Sequence, residues 1–341
     1  MKKVIKQLLS VKTYRYLKRI RNFTYALYDF VFAPITFLAA FWLRFRRKNL
    51  QFSPISKKIF NRLGVFPILD HYYEPMFNPK YLRKSLREDR ILPAIDFNVD
   101  EQRKLLATFC YNDELLSFPR KRTGNEIEFS YDYGSLASGD SENWYNVIRK
   151  FKPKKIIEIG CGSSTLMALN AIQMNRKDEV TYKCDYTCIE PFEQPWLEKT
   201  GLKVIRSKVE EISLEMFKTL SENDILFIDS SHIIRSQGDV LFEILVILPI
   251  LNSGVIVHFH DINTPKDYFD EYILKSTHPF WNEQYLLEAF LSFNKEFKII
   301  LASNYLFHHH KLEFIANCPI LELDLVENPE REVASFWIKK I

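Results

Sequence analysis

Lys155–Ala168, KIIEIGCGSSTLMA, is the stretch whose reading decides the fold. Ile156 to Ile159 read as a short buried strand, Gly160-Cys161-Gly162 interrupts it, and Ser163-Ser164-Thr165 opens an apolar helix. Strand, glycine turn and helix start are the parts of a nucleotide-binding crossover. Glycine lets backbone approach a ligand, and the first turn of a helix presents free N–H groups. An isolated GxG fits an ordinary tight turn equally well, so the weight of the pattern comes from its surroundings.

Downstream, strands and helices alternate. Strands are expected at 155–159, 183–189, 202–206, 224–229, 254–260, 297–303 and 334–339, with helices near 164–175, 192–199, 210–221, 235–250 and 280–293. The alternation predicts an α/β domain with a Rossmann-like, seven-stranded, mostly parallel sheet and helices on both faces. Ligands of such sheets bind beyond the carboxyl ends of strands, where strand order reverses.

The polar residues of this chain gather at those ends. Glu158, Gly160 and Gly162 close the first strand; the place of a third dinucleotide-type glycine is held by Thr165, which disfavours NAD. Glu190, in CIEP, ends the second strand and offers a carboxylate to ribose hydroxyls. Glu210, in SKVEE, follows the third, where it suits either adenine contact or an acidic helix start. The fourth ends in Asp229-Ser-Ser-His232 and the fifth in His258-Phe-His260-Asp261, with His258 and His260 on one face by strand periodicity.

Upstream, the charge is lopsided. Residues 1–50 carry 12 Lys/Arg and one acid, Asp29, whereas the remainder has 35 basic and 42 acidic residues. Inside the basic segment, Phe23–Leu43 runs 21 residues with a single charge. Cationic flanks, Tyr and Trp suggest a helix lying on an anionic membrane surface, with a bilayer span or a helix packed on the body as alternatives. The late apolar start, with no small-residue cleavage site after it, argues against a cleaved signal peptide. No nucleic-acid module accompanies the basic clusters. Residues 51–150 read as an irregular cap region with an amphipathic helix over Asp100–Phe118, a capped helix at Trp144–Phe151 and a polar aromatic loop at His71–Pro75; the third region is 151–341. Five cysteines without a CxxC or an even framework fit a reducing cytoplasm.

Taken together, IEIGCGSST, CIEP, FIDSSH, HFHDI, Trp281-Asn-Glu-Gln-Tyr285 and SFWIKK resemble, in order, the motifs of class I S-adenosylmethionine-dependent methyltransferases, of the subgroup often found with polysaccharide biosynthesis enzymes. The resemblance covers roughly 150–341. It implies a cofactor site at Glu158, Gly160, Cys161, Gly162, Ser163, Glu190, Glu210 and Asp229, with Glu158 or Asp229 holding the methionine ammonium. It implies His260 and His232 as general-base candidates, with Asp261 orienting the base or joining Asp229 on a divalent ion such as magnesium. The acceptor it implies is a hydroxyl of a sugar or cell-surface glycan precursor, reached by a cytoplasmic, membrane-associated enzyme. A non-catalytic scaffold and a nicotinamide oxidoreductase are the competing readings. His308-His309-His310 reads as a solvated loop, Trp281 and Tyr285 as weak substrate candidates, and Arg235 as either a pocket residue or a helix cap.

Overall fold

The computed structural model describes residues 11–65, 67–69, 75, 79–133, 136–192, 194–273 and 280–341. The loop expected at His71–Pro75 therefore lies outside the described residues apart from Pro75. The chain divides into two compact units, Met1–Leu82 and Arg83–Ile341.

In the first unit, α1 (Val11–Lys48) is one continuous helix that carries Pro34 in its interior. Thr24 and Thr36 return their hydroxyls to the Ile20 and Phe32 carbonyls one turn back, so neither leaves a polar group unmatched. A second helix, α2 (Pro54–Leu63), ends at Gly64 in the left-handed region, with Phe60 set edge-on to Trp42.

The second unit begins with α3 (Val99–Leu106), α4 (Asn112–Ser117) and α5 (Asp140–Phe151). The single helix expected over Asp100–Phe118 is thus two, broken where Thr108 turns its hydroxyl back onto the Leu105 carbonyl and Phe109 turns into the core. The sheet follows: β1 (Lys155–Ile159), α6 (Ser163–Asp178), β2 (Asp185–Ile189), β3 (Lys203–Ile205), α7 (Leu214–Lys218), β4 (Ile225–Ile228), α8 (239–250), β5 (Ile256–Phe259), α9 (Glu283–Leu291) and β6 (Phe297–Ala302). Three short helices, α10 (Ser303–His309), α11 (Lys311–Ile315) and α12 (Pro319–Glu327), then lead to β7 (Phe336–Lys340). Strand order is β3-β2-β1-β4-β5-β7-β6, parallel except for β7, which runs antiparallel to both neighbours.

All seven expected strands are present within two residues of their expected ends. The helices fit less closely. Residues 192–199 yield only a 3₁₀ turn at Leu197–Thr200, and α8 starts at Asp239 and winds as a π-helix through Glu243–Ile247. The helices over 303–327 take the place of a loop.

Two cores flank the sheet, set by strand alternation. Ile157, Ile159, Leu226, Ile228, Val257 and Phe259 face α8 and α9. Ile156, Ile225, Phe227 and Ile256 face α5, α6 and the helices after β6, with Trp144 and Trp337 at the centre. Residues 83–150, expected in a separate cap, are packed into this second core through Leu106, Leu115, Trp144 and Ile148. The division therefore falls at Leu82 rather than at 150, because α3–α5 bury their apolar faces on the sheet.

Candidate active site

The site sits at the carboxyl end of the sheet, where β1 and β4 part. Gly160 leaves β1 with φ +76°, and a Cβ there would overlap the Asp229 carbonyl oxygen, so β1 and β4 close on one another only with glycine at this place. Gly162 differs: its backbone is extended, and an added Cβ would enter open space. Gly162 also lines a 310 Å³ lobe, together with Gly160, Cys161, Ser163, Glu190 and Asp229. An adjoining 270 Å³ lobe shares Gly160, Glu190 and Asp229 and extends past Lys208 and Glu210. The carboxylates expected at the second and third strand ends thus reach one cleft with the glycine turn.

Glu190 is fixed by two backbone donors: Cys161 N–H bonds to Oε2 at 3.3 Å and Phe192 N–H to Oε1 at 2.8 Å.

Glu158 does something else. Its side chain points into the core under α6, where the hydroxyls of Ser164, Thr165 and Tyr186 all donate to it. It lines neither lobe, whereas Asp229 lines both. Burial, only partly offset by those hydroxyls, pushes its pKa up to about 7. Thr165 is explained by the same contacts: its hydroxyl bridges Glu158 and the Gly162 N–H, locking the helix start onto β1.

Beyond Asp229 the β4 and β5 ends form a compact cluster. His232 Nε2 lies 3.3 Å from Asp229 Oδ1 and 3.5 Å from Asp261 Oδ2. His260 Nδ1 lies 3.6 Å and 3.4 Å from the same two oxygens. His232 and Asp261 both hold positive φ, +60° and +57°, a costly conformation for such residues that directs both side chains inward. Burial lowers the pKa of both histidines, but Asp229 and the other surrounding carboxylates outweigh it and hold both imidazoles well above their ordinary value. Burial also raises Asp229, yet His260 and His232 overcome it and hold its carboxyl below the usual range. Asp229, His260 and Asp261 also bring ligand-type atoms within 4.8 Å of one another.

His258 shares the face of His260 but not its work. It is stacked on Phe227 with Trp337 tilted against it, and burial pulls its pKa well down, as befits a neutral core residue.

Sequence reasoning missed the cluster's support. Glu283 Oε2 accepts from His232 Nδ1 at 2.8 Å, Asn282 Oδ1 accepts from the Ile234 N–H, and the His232 carbonyl receives the N–H groups of both Asn282 and Glu283. The signal was Trp281-Asn-Glu-Gln-Tyr285, whose middle residues clamp the His232 loop while Trp281 packs 4.4 Å from the His232 ring and stacks on Tyr272. Tyr285 is structural, bonded to Asp267 and lying under Arg90. Arg235 lines the 270 Å³ lobe 3.7 Å from Asp239. His308 and His309 end α10 and pair with Glu332 and Asp89, each at 2.7 Å, in place of the expected free loop.

On the far side of the cluster lies a 690 Å³ cavity. His260, Asp261, Asp140, Phe269, Tyr272 and Arg331 are among its walls. Asp229 thus faces the two lobes and His260-Asp261 face this cavity, with the cluster between them.

Residues 157–262 match the family described as "Methyltransferase domain". The match lies inside the β3-β2-β1-β4-β5-β7-β6 sheet, so residues 157–262 form a methyltransferase domain of Rossmann-like fold. It is similar to an uncharacterized protein of Archaeoglobus fulgidus, 27% identical over 173 residues that cover 47% of this chain and 76% of the other. Among solved structures it shares 10% identity and a TM-score of 0.35 with an O-methyltransferase from Bacillus cereus in complex with SAH, over 71% of this chain and 90% of that one. A cmcI structure with SAH gives 13% identity and a TM-score of 0.28, over 44% and 75% of the two chains. These likenesses are too distant to carry chemistry from one chain to the other.

Proposed function

We propose that the chain transfers a methyl group from S-adenosylmethionine to a hydroxyl oxygen of a sugar or related acceptor in a cell-surface glycan precursor, on the cytoplasmic face of a membrane. One observation carries the reading: the Asp229–His232–His260–Asp261 cluster stands as a wall between the glycine-turn cleft and the 690 Å³ cavity. The cleft suits the cofactor. Glu190 takes the ribose hydroxyls, Asp229 the methionine ammonium, Gly162 leaves room for the chain of the methionine, and Glu210 borders the adenine end. The cavity suits a polyol, combining the aromatic faces of Phe269 and Tyr272 with carboxylates and arginine.

Methyl transfer breaks the sulfonium C–S bond as the acceptor oxygen attacks from the opposite side; the acceptor's proton passes to the Asp261 carboxylate at the cavity wall and S-adenosylhomocysteine departs. Alignment supplies much of the rate, since holding both partners in line replaces an encounter in solution.

The first unit supports the membrane part. Residues 23–43 of α1 are largely apolar and no part of the stretch is buried, with Phe30, Phe37 and Phe41 all more than two-thirds exposed. Thr24, Tyr25, Tyr28, Asp29 and Thr36 share one side of the helix, and because that side holds a single charge the stretch suits a bilayer span as well as a surface helix. At 1.5 Å per residue the stretch measures ~31 Å, close to the bilayer's apolar thickness.

The test is transfer from methyl-labelled S-adenosylmethionine into glycan precursors in a membrane fraction. The reading expects label in an alkali-stable ether on sugar carbon. Label released by mild alkali as an ester, or found on nitrogen, would overturn O-methylation of a hydroxyl.

A further inference from the structure

We propose that the acceptor is an anionic carbohydrate, whose phosphate or carboxylate group is held by Arg331 where the 690 Å³ cavity meets a second compartment. The inference rests on the methyl-transfer reading, which makes that cavity the acceptor's.

Two compartments join at one turn of the chain. Asn328 and Arg331 line the 690 Å³ cavity together with His260 and Asp261, and they also line a 710 Å³ cavity whose other walls include Arg120, Lys121 and Tyr131. Each volume falls in the range of small-molecule sites, ~300–1,000 Å³. A ligand reaching from Asp261 past Arg331 would occupy both.

Arg331 differs from the other arginines of these walls. Arg87 pairs with Glu332 at 2.7 Å and Arg120 with Asp324 at 2.6 Å. Arg331 forms no ion pair among the described residues, and its Nε is buried without a hydrogen-bond partner. A partly buried charge without a counter-charge is costly, so native proteins tend to match it. The planar fork of a guanidinium suits a phosphate or a carboxylate, each of which it can meet with two parallel hydrogen bonds.

The backbone around Arg331 is fixed. Its N–H bonds to the Asn328 carbonyl at 3.1 Å, Asn304 donates to the Val333 carbonyl, and Asp140 accepts from the N–H groups of Ala334 and Ser335. The side chain therefore starts from a held point, which lowers the ordering cost of binding.

The remaining charges give the acceptor a direction. Asp261 and Asp270 line the end of the 690 Å³ cavity that holds His260, where carboxylates accept from sugar hydroxyls and repel an anion. Asp140 is spent on the backbone, Glu332 is covered by Arg87 and His308, and Asp324 is taken by Arg120 and Ser138. In the 710 Å³ compartment Lys121 adds an exposed cation with no ion-pair partner among the described residues. An anionic sugar is thus best placed with its charged group at Arg331 and its hydroxyls toward Asp261.

The experiment measures binding of glucose, glucose 1-phosphate and glucuronate to the full-length protein by ligand-observed NMR, with S-adenosylhomocysteine present. At least one charged sugar should bind ~10-fold or more tightly than glucose, and the tighter of the two identifies the group as phosphate or carboxylate. Arg331→Gln should bring that sugar to the level of glucose, and Arg331→Lys, which keeps the charge without the fork, should fall between. Lys121→Gln, at an exposed side chain, should weaken it ~2–5-fold and serves as the test if Arg331→Gln does not fold. Charged sugars bound no more tightly than glucose, or bound equally by wild type and Arg331→Gln, would overturn the subsite. S-adenosylhomocysteine affinity, measured by calorimetry on the same protein without sugar, reports separately on the methyl-transfer reading. Its survival alongside indifference to sugar charge sinks this inference only.

Discussion

Two glycines two residues apart should fail in opposite ways when each becomes alanine. At Gly160 an added Cβ lies well inside 3.0 Å of the Asp229 carbonyl oxygen, in a backbone that cannot yield without separating β1 from β4. The left-handed φ adds ~1–2 kcal/mol for a side-chain-bearing residue, and forcing atoms into a packed site adds ~1–3 kcal/mol. A midpoint of ~3 kcal/mol in a domain of this size corresponds to a fall in melting temperature of roughly 6–12 °C. At Gly162 nothing of the protein lies within 4 Å of the added methyl, so Gly162→Ala should melt within ~2 °C of wild type. That methyl instead occupies the 310 Å³ lobe, and S-adenosylhomocysteine should bind at least ~10-fold more weakly, a loss of ~1.4 kcal/mol. Differential scanning fluorimetry without ligand and calorimetry with it separate the two effects. A Gly162→Ala protein that binds as wild type does would refute the placement of the cofactor, and an unshifted Gly160→Ala melt would refute the close approach of the two strands.

Replacing Glu190 by Gln removes the charge from the ribose contact and sets an amide N–H₂ against a backbone donor; cofactor affinity should fall ~10–100-fold by calorimetry, and a change under threefold would contradict the assignment. Glu158 predicts a pH signature. Its folded pKa, about 7, lies above the ordinary 4.5, so the native state holds the proton more tightly, and this group's contribution is full below pH 4.5 and lost as pH rises through 7. Glu158→Gln should flatten the fall in stability across that window by roughly 3 kcal/mol, and superimposable urea curves for both proteins from pH 5 to 7 would show that the carboxyl is not strained. Deleting residues 1–50 should release the protein from lipid vesicles, while the intact chain should resist extraction by both high salt and alkaline carbonate; release by salt alone would show that electrostatics, not insertion, hold it.

The sheet was legible because its signal is local. A four-residue run such as Ile156–Ile159 with its glycine turn specifies strand and bend without reference to anything distant, and the same holds for Asp224–Asp229 and Gly254–Asp261. The cleft was legible for a related reason, since topology alone brings strand ends together. Side-chain direction was less so. Glu158 carries the residue type that an ammonium site wants, but period-two alternation sends it into the core beneath α6, where three hydroxyls claim it. Glu283 was hidden in the opposite way: it lies 51 residues from His232, and only the packing of α9 joins them. The helices over 303–327 escaped because Ser303–His309 and Lys311–Ile315 span two turns or fewer, and in Pro319–Glu327 the apolar residues Ile320, Leu321, Leu323, Leu325 and Val326 are spread around the helix with no stripe to read.

Calorimetric titration of the purified full-length protein with S-adenosylmethionine and, separately, with NAD tests the central claim most directly. The account predicts saturable one-to-one binding of S-adenosylmethionine that Glu190→Gln weakens, and no heat from NAD beyond dilution. Tight NAD binding with none of the methyl donor would contradict it.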